Sequence, residues 1–362
     1  MSDQSRALDF LGAYCPVPLS HSEQIVIGHG SGGRLTHNLI EEVFAAQFKN
    51  PFLEQRDDGA VLPEVDSEFE IVLSTDSHVI SPIFFPGGDI GRLAICGTVN
   101  DISVMGAKPL YLSAGFILEE GLQVEVLKHV VSSMVEAAEE AGVQVVAGDT
   151  KVVEKGKGDG IFINTTGIGI RHKSLQIGGC RVQVGDQVIL SGTIGEHGVA
   201  VLLARGELGL TADLRSDVAP LNQLIAVALE AGRQEKGNAI HAMRDPTRGG
   251  IATALIEIAR QSNVGIQIDE TAIPIREAVL SVCEMLGFDP LYMANEGKCL
   301  FFVDPSKAGD ILKAIRSHPY GVEAAIIGEV IPQPARKVLL RTSMGSTRLL
   351  EMLSGEMLPR IC

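Results

Sequence analysis

Residues 171–183 form a polar stretch carrying Gly178-Gly179, and they split the chain into two runs of strand and helix patterns. No other feature limits the fold as much. A single hydrophobic core stops growing beyond about 250–300 residues, so a chain of 362 residues is expected to build two. The first run opens with a short strand, Gln24 to Ile27, entering Gly28-His29-Gly30-Ser31-Gly32-Gly33. Leu35, Leu39, Ile40, Val43 and Phe44 then predict a helix over 35–48. Ile71 to Thr75 predicts a buried strand ending at Asp76. An apolar helix over 92–105 has Asn100-Asp101 set inside it. An amphipathic helix over 124–141 is stopped by Gly142. A buried strand, Val143 to Ala147, is expected to end at Gly148-Asp149-Thr150-Lys151, and another spans 161–170.

The second run begins with a strand over 188–191, a Gly-rich turn and helices over 198–205 and 219–231. Arg244 to Gly250 precedes a clear helix over 251–260, and strands near 299–303, 325–330 and 338–342 close the unit. The expected fold is α+β, two mixed α/β domains over 24–172 and 180–342. Residues 1–23 are an N-terminal extension, and 343–362 a mobile C-terminal tail.

Composition removes several classes of function. No apolar run is long enough to span a membrane and no signal peptide opens the chain. The six cysteines, at 15, 96, 180, 283, 299 and 362, include no Cys-x-x-Cys pair, which points to reduced thiols in a cytoplasm. A net charge of −15 opposes nucleic acid, and the absence of Trp leaves no base-stacking platform. An acidic protein still binds a polyphosphate if its carboxylates recruit Mg²⁺.

Aspartates recur where strands end or where apolar neighbours make a charge expensive: Asp57-Asp58, Asp76, Asp101, Asp149 and Asp245. Asp101 lies among Ile95, Val99, Ile102, Val104 and Met105, so it should be paired or bind a metal. Mg²⁺ is usually held by a few carboxylates plus substrate phosphates, and no Walker A sequence is present, so an unusual Mg·ATP site is expected. Thr247-Arg248-Gly249-Gly250 opens a helix whose free N–H groups favour an anion, with Arg248 able to grip a phosphate. Helix capping and turn formation explain the same aspartates and Thr247 equally simply.

Gly28, Gly30 and Gly33 match the dinucleotide G-x-G-x-x-G spacing, with Glu54 about 20 residues on. The adjoining Gly32 and the lack of a clean strand–helix–strand series favour instead a glycine loop covering phosphates or a reactive tail. The chain ends Met357-Leu358-Pro359-Arg360-Ile361-Cys362. A thiol in last place has no chain beyond it to anchor it, and the seven residues after Gly355 span roughly 23–25 Å at about 3.3–3.6 Å per residue. That geometry suits a thiol loaded in one place and reacting in another. A stray surface thiol is the plain alternative.

Together, these segments resemble the family of aminoimidazole ribonucleotide synthetases and selenophosphate synthetases, and within it the carbamoyl dehydratases of hydrogenase maturation. The segments are 29–34, Asp57-Asp58-Gly59-Ala60, Ser74-Thr75-Asp76-Ser77, Asn100-Asp101 with Met105-Gly106-Ala107, and Gly148-Asp149-Thr150-Lys151. Arg244 to Gly250, Asn295-Glu296-Gly297-Lys298 and the closing Pro359-Arg360-Ile361-Cys362 complete the set. Selenophosphate synthetases carry a reactive Cys or selenocysteine and a Lys in the glycine loop, and this loop has neither. Glu196 stands where a shorter acid is common, and the N-terminal extension is longer.

The resemblance implies a homodimer joined through the first domain, with ATP between the halves. It implies that a HypF-like carbamoyltransferase loads the Cys362 thiol, that the chain uses ATP and Mg²⁺ to dehydrate the S-carboxamide to an S-cyano group, and that a HypC–HypD-like complex accepts the cyanide. Asp58, Asp101 and Asp245 are then the metal ligands. Asp57, Asp76, Gly148, Asp149, Thr150 and Arg248 join them in holding the nucleotide. Glu296 is the candidate base, and Lys151 the candidate stabiliser of the carboxamide oxygen and phosphate. Three rival expectations remain: a small-molecule synthetase or kinase that ignores Cys362, a non-catalytic thiol carrier, and a nicotinamide enzyme.

Overall fold

The computed structural model describes residues 24–26, 38–50, 68–206, 209–235, 237–352 and 361. The glycine loop, Asp57, Asp58, Cys362 and the extension 1–23 lie outside them. Gln24 makes one isolated bridge to Gln123, and residues 38–47 are helical with a π-helical stretch at Ile40–Ala45.

The first unit is a four-stranded sheet carrying two helices. In chain order its parts are β1 (Phe69–His78), a short hairpin of β2 (Phe84–Phe85) and β3 (Gly88–Asp89), α1 (Ile90–Val104), β4 (Lys108–Glu119), α2 (Val124–Ala141), β5 (Gln144–Val153) and β6 (Ile161–His172). The main sheet runs β1-β6-β4-β5. Asp89 caps α1, its Oδ1 accepting from Gly91 N at 2.7 Å and Arg92 N at 3.0 Å. Gly142, at φ 69°, ends α2 in the left-handed region where glycine carries no Cβ penalty.

Both helices cover one face of this sheet. The other is open: Ile71 and Leu73 are 61% and 63% exposed, and Ile117 is exposed further along it on β4. The expectation of a buried strand at 71–75 is therefore corrected. Apolar residues alternate onto a bare face, and the strand continues past Asp76 to His78. Gly148 to Lys151 likewise continue β5 and do not follow it, paired in parallel with Ala114 to Ile117.

The second unit contains β7 (Gln187–Leu190), α3 (Glu196–Ala204), α4 (Asn222–Ala231), β8 (Ile240–Arg244), α5 (Gly250–Gln261), β9 (Gly265–Asp269), α6 (Glu277–Leu286), β10 (Leu300–Val303), α7 (Ala308–Arg316), β11 (Ala325–Ile331), β12 (Val338–Arg341) and β13 (Thr347–Leu350). Its seven-stranded sheet has the order β13-β12-β9-β11-β7-β10-β8. One face packs on α5 and the other on α4 and α7, forming two apolar clusters. β13 pairs with β12, so Thr347–Leu350 belong to the sheet and not to the tail.

The two units meet along α1, whose Asn100 is only 2% exposed. Its Nδ2 donates to the carbonyls of Ala219 at 3.1 Å and Glu296 at 3.4 Å, and its Oδ1 accepts from Leu221 N at 2.8 Å. Arg92 adds a bond from Nε to the Val218 carbonyl at 3.1 Å.

Candidate active site

Gly167 on β6 sets the floor of the site. A Cβ there would meet Ile102 Cδ1 at 2.5 Å and Thr98 Cγ2 at 2.7 Å, so only glycine lets α1 lie this close to the sheet. The approach brings Asp101 to β1, where Ser74 Oγ donates to its Oδ2 at 2.7 Å. Asp76 lies two residues along β1 on the same face, with His78 Nε2 at 3.6 Å from its Oδ2. Asp245 follows β8 from the second unit. It lines a cavity of about 300 Å³ with Asp101, Arg244, Thr247, Arg248 and Glu257.

The carboxylates sense one another. Burial and then the Asp101 charge push Asp245 up to about 7. Asp101 is raised by burial against the bond from Ser74, with Asp76 adding to the rise. Glu296, in the loop before β10, is raised well above its ordinary value by burial and then by Asp217, Asp245, Asp76 and Asp101. Its Oε1 is buried with no hydrogen-bond partner among the described residues. His78 is buried, which lowers its pKa, and its Nδ1 is also unpartnered among the described residues.

Such a cluster is costly by itself and fits a divalent cation. No three His, Cys, Asp or Glu side chains among the described residues close into a metal cage. This agrees with the habit of Mg²⁺, which takes one or two carboxylates and completes its shell with phosphate oxygens and water. The start of α5 offers the anion side. Gly249, at φ 75°, occupies the N-cap position without a side-chain cap, so Thr247 is not the cap, although its carbonyl accepts from Gly250 N at 3.1 Å.

A second buried polar group holds the Glu296 loop. Asp217 Oδ1 accepts from Glu296 N at 3.1 Å, and Oδ2 accepts from Gly297 N at 3.3 Å and Lys298 Nζ at 3.0 Å. Burial works to raise the Asp217 pKa, but the charge of Lys298, the neighbouring His197 ring and the Glu296 N–H hold it low. Lys298 also lies 3.4 Å from Glu196, which accepts from Thr193 Oγ1 at 2.7 Å and pairs with Arg276. Asn295 fixes the loop from the other side, donating from Nδ2 to the Pro246 carbonyl at 2.9 Å and accepting from Gly195 N at 2.7 Å.

The chain terminus comes to the same seam. Ile361 is 6% exposed and bridges Ile80, and its carbonyl accepts from His197 Nε2 at 2.7 Å.

Asp76, Asp101, Asp245 and Glu296 are thus brought together, with Arg248 at the rim. Gly148, Asp149 and Lys151 are not. Asp149 and Lys151, paired at 3.1 Å, stand on the open face of the sheet. β5 is three strands from β1, roughly 14 Å at about 4.8 Å per strand. Thr150 shares that strand. Sequence reasoning missed Ser74, His78, His197, Asp217 and Lys298. Ser74 and Lys298 carried a signal, standing in the same short segments as Asp76 and Glu296.

Two family models match the chain: AIR synthase related protein, N-terminal domain, over residues 56–171, and the corresponding C-terminal domain over 183–341. The chain is 52% identical to the carbamoyl dehydratase HypE of Azotobacter vinelandii, over 92% of this chain and 96% of that protein. A crystal structure of HypE in complex with ATP superposes with a TM-score of 0.88 at 46% identity, covering 93% of this chain and 99% of the other. A HypE–HypF complex matches at a TM-score of 0.75 and 50% identity, over 87% and 99%.

Proposed function

This chain belongs to the HypE carbamoyl dehydratase family, and we propose on that premise how its own residues carry out the reaction. It is an ATP-dependent dehydratase of hydrogenase maturation, converting an S-carboxamide on its terminal cysteine to an S-cyano group. Asp101 and Asp245, with Asp58, would hold Mg²⁺. Asp76, Arg248 and the start of α5 receive the phosphates, with Asp57; Gly148, Asp149 and Thr150, on β5, would join a nucleotide site only from a second copy of the chain. When bound, the cation supplies charge neutralisation of the transferring phosphoryl group.

An amide oxygen is a poor leaving group. Transfer of the γ-phosphoryl to that oxygen, with loss of one N–H proton, gives an imidate phosphate. Cleavage of its C–O bond then releases phosphate, and loss of the second N–H proton leaves the nitrile. Glu296 takes the first proton. The observation that carries this reading is the Glu296 carboxylate itself: buried beside Asp217, Asp245, Asp76 and Asp101, which with burial raise its pKa, and unpartnered at Oε1 among the described residues, it has an oxygen available to take a proton.

Residues 24–172 and 180–350 are the two domains in this reading, the second extended through β13. A homodimer formed through the open face of the first sheet would cover Ile71 and Leu73. It would also let Lys151, remote from Asp76 within one copy, stabilise the carboxamide oxygen in its partner's site. A HypF-like partner loads Cys362 and a HypC–HypD-like complex receives the cyanide, in the cytoplasm. No described helix is long and apolar enough to cross a membrane.

The test is the intact mass of the C-terminal peptide after incubation with a HypF-like carbamoyl donor, its substrates and MgATP. A carbamoyl adduct on Cys362 that loses one water only with hydrolysable ATP is expected. An adduct that never loses water would leave a thiol carrier. ATP turnover indifferent to Cys362→Ala would point to a small-molecule synthetase.

A further inference from the structure

The segment Ser216–Val218 touches both the terminus and the base loop. His197 is fully buried, which lowers its pKa and favours the neutral ring, against the pull of Asp217. A carbonyl only accepts, so the proton that bonds Ile361 O sits on Nε2. Nδ1 then accepts from the Ser216 hydroxyl at 2.8 Å. Ser216 Oγ in turn accepts from Val218 N at 3.1 Å through one lone pair, which leaves its own proton free to donate to Nδ1. The next residue, Asp217, holds the backbone N–H groups of Glu296 and Gly297.

This segment cannot drift. A Cβ on Gly87 would meet Ser216 N and O at 2.7 Å, and one on Gly297 would run into the Asp217 carbonyl. Pro86 O accepts from Ser216 N at 2.7 Å. Phe85 stacks edge-on against the His197 ring, centroids 5.4 Å apart.

We propose that His197, oriented by Ser216, is a positioning residue: it clamps the carbonyl of Ile361 and so sets the register of the terminal thiol against a base loop held by the adjacent Asp217. The clamp rests on the reading of Cys362 as the reacting thiol. The described contact is with a backbone carbonyl, so the clamp acts on position.

The test uses the full chain in two arms. In the first, the rate of Cys362 alkylation by iodoacetamide is followed by mass of the C-terminal peptide, without ATP or any partner. Removing one such hydrogen bond should speed alkylation by about fivefold to tenfold in His197→Phe, which keeps the ring volume. His197→Gln keeps a side-chain N–H donor and should restore protection. Ser216→Ala, a gentler change that frees the tautomer, should give a smaller increase. In the second arm, kcat for dehydration should fall in His197→Phe with KM for ATP unchanged. Wild-type alkylation rates in both His197→Phe and Ser216→Ala would overturn the clamp, as would a Gln variant no better than Phe at equal melting temperature. Should His197→Phe fail to fold, Ser216→Ala decides alone. A dehydratase assignment that failed would leave the alkylation arm intact, so the two failures are distinguishable.

Discussion

Two groups of charged side chains, each with a buried member and half-buried neighbours, lie side by side at the seam, and they are built on opposite terms. Around Lys298, every charge has a partner: Asp217 and Glu196 on Lys298, Arg276 on Glu196, and Glu323 on Arg276 at 3.1 Å. Around Asp245, carboxylates face carboxylates, and Glu296 keeps an unpartnered oxygen among the described residues. The first arrangement is complete without a ligand and specifies a geometry. The second stores repulsion that a cation and a polyphosphate relieve. Buried charge alone therefore does not mark a reactive site; uncompensated buried charge does.

The contrast breaks first at Glu296. Glu296→Gln should lower the single-turnover dehydration rate by about 10²–10⁴-fold, the usual share of a general base, while leaving the melting temperature unchanged or higher. A variant with wild-type turnover would remove Glu296 from the chemistry. Lys298→Met should do the reverse in kind. By stranding Asp217 and Glu196, it should cost about 3–5 kcal/mol in urea unfolding. A loss below about 1 kcal/mol, the level of a surface pair, would show the network to be ornamental.

Asp245→Asn tests the uncompensated group. Saturating MgATP at a hundredfold over its Kd should stabilise the wild type by about 2.7 kcal/mol in thermal unfolding, and the variant by almost nothing. Without ligand the variant should melt no lower than wild type, since it removes repulsion. A variant that melts lower without ligand would contradict the repulsive reading.

The smallest effect belongs to a satisfied pair elsewhere. His241 Nδ1 lies 2.9 Å from the buried Asp186, whose hydrogen bond raises the His241 pKa above 6.5. The folded state therefore binds the proton more tightly than the unfolded state. Its contribution is present in full below pH 6.5 and fades as pH rises through the raised folded value. Melting temperature should show a shallow decline over that window, absent in His241→Gln. An unchanged slope in the variant would assign the decline to other groups.

Legibility in sequence followed local signals. The ends of α2 were visible because Gln123 and Gly142 bracket a clean amphipathic run. The twelve-residue β4 was missed because Pro109 and Gly115 interrupt its pattern, and β5 was ended too early, at Ala147, because Gly148 looked like a stop. Gly148 is there for closeness: a Cβ would meet the Ala114 carbonyl at 2.8 Å. In the site, Asp101 stood out as a charge inside an apolar helix. Asp217 did not, since the groups it serves lie 79 to 81 positions further on. His197 was equally silent, its partner being the penultimate residue of the chain.

The Asn100 amide, reaching from one unit to three backbone groups of the other, has a thermodynamic consequence. Neither half can shed its partner without leaving that amide buried and unbonded, or wetting the seam around it. A calorimetric scan should accordingly show a single endotherm with equal van't Hoff and calorimetric enthalpies, not two. Cutting the chain near residue 178 would then yield fragments that find each other in solution and fold only as a pair.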